Sequence, residues 1–138
     1  MQGGKMTKQF WISVVVTFVL MMGLGFLVHG FLLAGDYGSL PGLFRSEADQ
    51  QRHFPFMLCA HGIAALAFVW IYVRGKEAKP FLGQGVRYGL AMAGVMVIPK
   101  FLIYFAVQPI PHMIALKQII FDTVAVVVMG IVVARINK

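Results

Sequence analysis

Four apolar runs divide the chain. They extend from about Phe10 to Leu33, Phe54 to Val73, Phe81 to Val107 and Met113 to Ala134. At about 1.5 Å per residue, runs of about 20 residues cross the roughly 30 Å of hydrocarbon in a bilayer. None alternates strictly between apolar and polar positions, and all are too long for barrel strands. The pattern predicts an all-α protein: an integral membrane four-helix bundle, with residues 1–138 forming a single transmembrane domain. The connection over 34–53 is the longest. The turns RGKEAKP and QPIPH leave room only for reversals, so each makes its two spans antiparallel neighbours.

Small and cyclic residues refine these helices. Gly85, Gly89 and Ala93 fall at i, i+4 and i+8, a small-xxx-small stripe that lets helix backbones approach closely. The stripe predicts a helix contact, either within the bundle or between subunits. Pro99 removes one hydrogen bond and pushes on the carbonyl of Val95, so a kink is expected there. Pro55 suits the first turn of the second span, where its missing N–H would be unpaired anyway. In the long loop, GDYGSLPG is turn chemistry. Ser46 to Asp49 resembles a capping box. The alternatives there are a short surface helix, with Leu43 and Phe44 dipping into lipid, and a plain solvated loop.

Composition agrees with a bilayer as solvent. Of 138 residues, 59% are hydrophobic and 12% charged, against about 25% charged in soluble domains. The net charge of +7 does not point to nucleic acid, because the basic residues lie between apolar runs as loop charges do. Lys5, Lys8, Arg74, Lys76, Lys79, Arg87, Arg135 and Lys138 fall on one side. Arg45 and Arg52 on the other face Asp36, Glu47 and Asp49. The expected topology is therefore N-in/C-in. The first run is too long for a signal-peptide core. The single Cys59 rules out an internal disulfide and is expected to be a small buried hydrophobe.

The last two spans carry Lys100, Lys117 and Asp122, together with Gln118. A charge in hydrocarbon costs about 2.5–3.5 kcal/mol on insertion scales, so each needs a partner or a role. Counted inward from the outer edge, His29 lies about 6 Å deep, His61 and Lys100 about 10 Å and Asp122 about 13 Å. Tyr104 stands one turn above Lys100. The ionisable residues well inside the spans thus fall in the outer half, with Arg87 at the inner rim. Lys100 and Asp122 are expected to pair, either as a structural salt bridge or as a proton or anion site. Lys117 is expected to snorkel to the headgroups. The expected pocket comprises His29, His61, Lys100, Tyr104, Gln118 and Asp122.

His29 and His61, on consecutive antiparallel helices at similar depth, are candidates for the axial ligands of haem b. With His112 they are candidates for a first-row metal site, although no HExxH-type spacing is present. The bland alternative is that they are hydrogen-bonded packing residues. No GxSxG, P-loop or paired carboxylate occurs, so nucleophilic catalysis has no support.

The segments FVWIYVRG, LGQGVRYGLAMA, LIYFAVQPIP and KQIIFDTVAVVVMGIVVA resemble a group of small four-helix bacterial inner-membrane proteins with no assigned activity. The resemblance covers most of the chain from His53 onward and implies an architecture, not catalytic residues. The expectation is a non-enzymatic accessory or ligand-binding component of the bacterial inner membrane. It would sit in the lipid bilayer as a homo-oligomer or within a larger complex. The alternatives are a haem b redox module using His29 and His61, or a small transporter using Lys100 and Asp122.

Overall fold

The computed structural model describes residues 6–138, and its regular elements are all helical. Lys5, counted above among the basic residues, lies outside the described residues. Helix α1 spans Lys8–Gly25 and continues as a π-helical segment, Phe26–Leu32. A short α2 follows at Ala34–Gly38, then α3 at Glu47–Gly75, α4 at Phe81–Met96, α5 at Ile98–Val107 and α6 at His112–Ile136. Four helical stretches are long and apolar enough to cross a membrane: Lys8–Leu32, Glu47–Gly75, Phe81–Val107 and His112–Ile136. They mark the chain as a multi-pass membrane protein.

The α4–α6 contact is the tightest in the molecule. A Cβ added at Gly89 would stand 2.5 Å from the Val127 Cα, and one at Gly85 2.6 Å from the Ile131 Cα. On the facing helix, a Cβ at Gly130 would meet the Gly85 carbonyl oxygen at 2.5 Å. Ala93 is fully buried one turn further on. The stripe therefore serves a contact inside the chain. The sequence alone missed Gly130, the glycine that answers it from α6.

The first half of α1, the end of α3 and the end of α6 meet at one end of the bundle. The Asn137 side-chain amide donates to Ser13 Oγ at 2.6 Å, and Lys76 Nζ donates to the Asn137 carbonyl at 2.7 Å. Three segments distant in sequence are tied there. Tyr88 joins α4 to α3: its hydroxyl donates to the Phe68 carbonyl, and its ring packs edge-on against Phe68 and Tyr72.

Pro99 breaks the third span as expected. Val97, with φ −107° and ψ −63°, separates α4 from α5, and Pro99 sits in the first turn of α5. Pro55 does not start its helix. The Ser46 side chain caps α3 by accepting from the Asp49 N–H at 3.3 Å, and the helix then runs unbroken through Pro55. The cap is therefore the true start of the second span, not of a separate surface helix. At its far end, the loop is drawn over α6 by a small apolar cluster. Ile110, Ile114 and Ala115 pack there with Tyr37, Leu40 and Leu43, so Leu43 packs against protein. Gly42 makes the turn in the left-handed region, with φ +81°.

Candidate functional site

Helix α1 does not end as an α-helix. The Leu33 N–H donates to the Val28 carbonyl at 2.8 Å, an i→i−5 bond, and the widened segment carries His29. Such segments are rare and occur often at functional sites. At Gly30 within this one, a Cβ would touch the exposed Phe26 ring at 3.0 Å.

His29 is the centre of a hydrogen-bonded chain. Its Nε2 lies 3.0 and 3.1 Å from the two carboxylate oxygens of Asp122, and its Nδ1 lies 2.6 Å from the Tyr37 hydroxyl. That hydroxyl accepts from the Gln118 amide at 3.0 Å. With neutral His29 the directions are consistent: Gln118 donates to Tyr37, Tyr37 to Nδ1, and Nε2–H to Asp122. Lys100 Nζ stands 4.0 Å from the second Asp122 oxygen and 4.3 Å from the centre of the Phe101 ring. The expected Lys100–Asp122 pair is thus a loose contact, and histidine is the main partner of the carboxylate. Gln118 is buried, and its side-chain oxygen has no partner among the described residues.

The other lysine does not reach for headgroups. Lys117 Nζ lies 3.0 Å from both carboxylate oxygens of Asp36. This bond fastens α2 onto α6 and brings the neighbouring Tyr37 over His29. Burial, the largest effect, raises the Tyr37 pKa above its ordinary value. The Gln118 hydrogen bond opposes this, and the carboxylates of Asp122 and Asp36 add to it.

A cavity of about 350 Å³ opens beside this chain. His29, His61, Lys100 and Asp122 all line it. Four of the six expected pocket residues are therefore brought together. Gln118 is joined to them only through Tyr37. Tyr104 is not: it is 42% exposed on the outside of α5 and does not line the cavity. His112 is exposed at the start of α6.

These positions bear on the remaining expectations. Among the described residues, no three His, Cys, Asp or Glu side chains gather closely enough to hold a metal, so the His29, His61 and His112 set is not assembled. Both ring nitrogens of His29 are hydrogen-bonded to oxygen atoms, so binding haem iron would replace one of these bonds. His61 keeps one nitrogen free. Its Nδ1 bonds the Met57 carbonyl at 2.8 Å, Nε2 has no hydrogen-bond partner among the described residues, and His61 lines the cavity. Cys59 is exposed rather than buried.

Fold and site together define a four-helix membrane bundle with a polar cavity set into one half of an apolar core. No family model, curated protein or solved structure matches the chain.

Proposed function

We propose that the chain is a non-enzymatic, multi-pass protein of the bacterial inner membrane that holds a small ligand in its polar cavity. Both termini would lie in the cytoplasm, so the cavity would open in the outer half of the bilayer. The basic residues at the termini and in the 76–80 turn support that orientation. One observation carries the ligand-binding reading. His29, His61, Lys100 and Asp122, set among apolar side chains, converge on one cavity. Ionisable residues placed so are a functional site by default, and a concave, mostly apolar space with a few convergent polar groups suits a ligand.

The test uses thiol access in the Cys59→Ser background. Ala60 lines the cavity, whereas Ile63, on the same helix, faces outward and is 71% exposed. A charged, membrane-impermeant thiol reagent added outside intact cells should modify Ala60→Cys and spare Ile63→Cys. Equal reaction at the two positions, or reaction at neither, would count against an outward-facing polar cavity.

A second reading, a small transporter using Lys100 and Asp122, is favoured by the unbroken chain from Gln118 through Tyr37 and His29 to Asp122. Tyr37, His29 and Asp122 can each give up and take a proton, so that part of the chain can pass one, while the Gln118 amide only orients Tyr37. Proton flux into liposomes that Asp122→Asn abolishes would select this reading. Flux equal to that of protein-free liposomes would dismiss it.

A further inference from the structure

We infer that the cavity binds a single-chain amphiphile with a carboxyl head, such as a long-chain fatty acid, taken up sideways from the bilayer. The inference rests on the ligand-binding reading above and narrows it to a ligand class. Three observations lead to it.

The first is the polarity of the cavity along the bundle axis. His29, His61, Lys100 and Asp122 line its end nearer the loops. Met21, Met96 and Met129 also line it. They lie eight, four and seven residues from His29, Lys100 and Asp122, toward the termini. At about 1.5 Å per residue the methionines are thus about 6–12 Å deeper. One end takes a polar head, and the other takes an apolar chain against flexible thioethers.

The second is an opening in the wall. Every residue from Phe54 to Ala60, nearly two turns of α3, is exposed. Beside it, cavity-lining Ala60 and Gly25 carry little or no side chain. A cavity of about 350 Å³ is at the small end for ligand sites, so a longer ligand extends into lipid through this gap.

The third is the chemistry presented to the head. Asp122 already receives His29 on both oxygens and is largely buried. Lys100 is held only at 4.0 Å and is 44% exposed, so its ammonium has N–H groups to give. His61 Nε2 is free to share a proton. A carboxyl group matches this pair, because it accepts from Lys100 and shares its proton with His61. An ammonium head would meet the Lys100 charge instead.

The full-length protein in phosphatidylcholine nanodiscs, exposed to a diazirine derivative of hexadecanoic acid and irradiated, tests the idea. Label should map to the cavity-lining parts of α1, α4 and α6. Excess hexadecanoic acid should suppress it, and equal hexadecylamine should not. Lys100→Met should reduce labelling about tenfold, the equivalent of one charge-assisted contact. Lys79→Met, in the turn between α3 and α4 and outside the cavity, should leave it unchanged. Should Lys100→Met fail to fold, the acid-against-amine competition on the native chain decides alone. Competition by the amine, or label spread evenly over lipid-facing Phe56 and Val107, would overturn the inference. If Ala60→Cys reacts as expected while no cavity label forms, the fatty-acid assignment alone falls. If both fail, so does the pocket.

Discussion

His29 presents its Nε2 to both carboxylate oxygens of Asp122, 3.0 and 3.1 Å away, across 93 residues of chain. The contact joins the π-helical end of the first span to the middle of the last. Asp122 is only 14% exposed, so losing the histidine leaves a largely buried charge with one loose partner.

That arrangement predicts strong coupling. His29→Ala and Asp122→Ala should each destabilise the fold by about 1–3 kcal/mol, the cost of a buried polar group left unmatched. The double variant should lose less than the sum. Unfolding in mixed micelles measures the cycle, and additivity within about 0.5 kcal/mol would show that the two side chains do not interact.

Gly89 and Gly83 lie on one helix with opposite surroundings. A methyl at Gly89 would collide with the Val127 backbone, whereas one at Gly83 meets nothing within 4 Å. Gly89→Ala should therefore cost about 1–3 kcal/mol by overpacking. Gly83→Ala should be neutral or stabilise by up to about 1 kcal/mol. A Gly89→Ala midpoint no lower than that of Gly83→Ala would show that the close α4–α6 approach is wrong.

Tyr37 supplies a pH dependence with a defined sign. Burial raises its folded pKa above the unfolded value, so the unfolded chain releases the proton first as pH rises. The associated stability is intact below about pH 10, the unfolded value, and falls as pH climbs past it toward the folded value. Tyr37→Phe should lack this component. Matching alkaline stability profiles for the native chain and the variant would refute it.

Lys117 and Asp36 should tolerate exchange. Both are partly exposed, so the coupling between them is modest, about 0.5–1 kcal/mol. Lys117→Asp alone places two carboxylates together and should loosen the loop, raising its susceptibility to protease. Adding Asp36→Lys should restore resistance. A double variant as protease-sensitive as the single one would separate the two residues.

The spans, the Val97–Pro99 break and the glycine stripe were legible because each follows from local chemistry: length in apolar residues, a missing N–H, a missing side chain. Depth counting also brought His29, His61, Lys100 and Asp122 to one level, and they share a cavity. It could not say which side chain faces which. That choice depends on helix rotation, and the π-helical segment turns His29 away from where a regular α-helix would aim it. Tyr37 and Asp36 were missed for another reason. They sit in α2, too short to show a periodicity in sequence, and only the fold-back of this connection onto Ile110 and Ile114 reveals them as partners of the membrane helices. Tyr104 was misread because depth does not distinguish the inside of a helix from its outside.

The glycine contacts between α4 and α6 also bear on how the bundle can move. Where Gly85, Gly89 and Gly130 meet, backbone touches backbone and leaves no room for a sliding motion. Beyond Val97 no such glycine contact locks α5 to α6, and residues 54–60 of α3 are exposed. The molecule is thus a pair of jaws, riveted at the end where α3 and α6 finish and free at the other. Displacement on ligand entry would be confined to the free half, with Val97 as pivot. A spin label pair across the rivet should report one fixed distance, while a pair across the free ends should report a broad range.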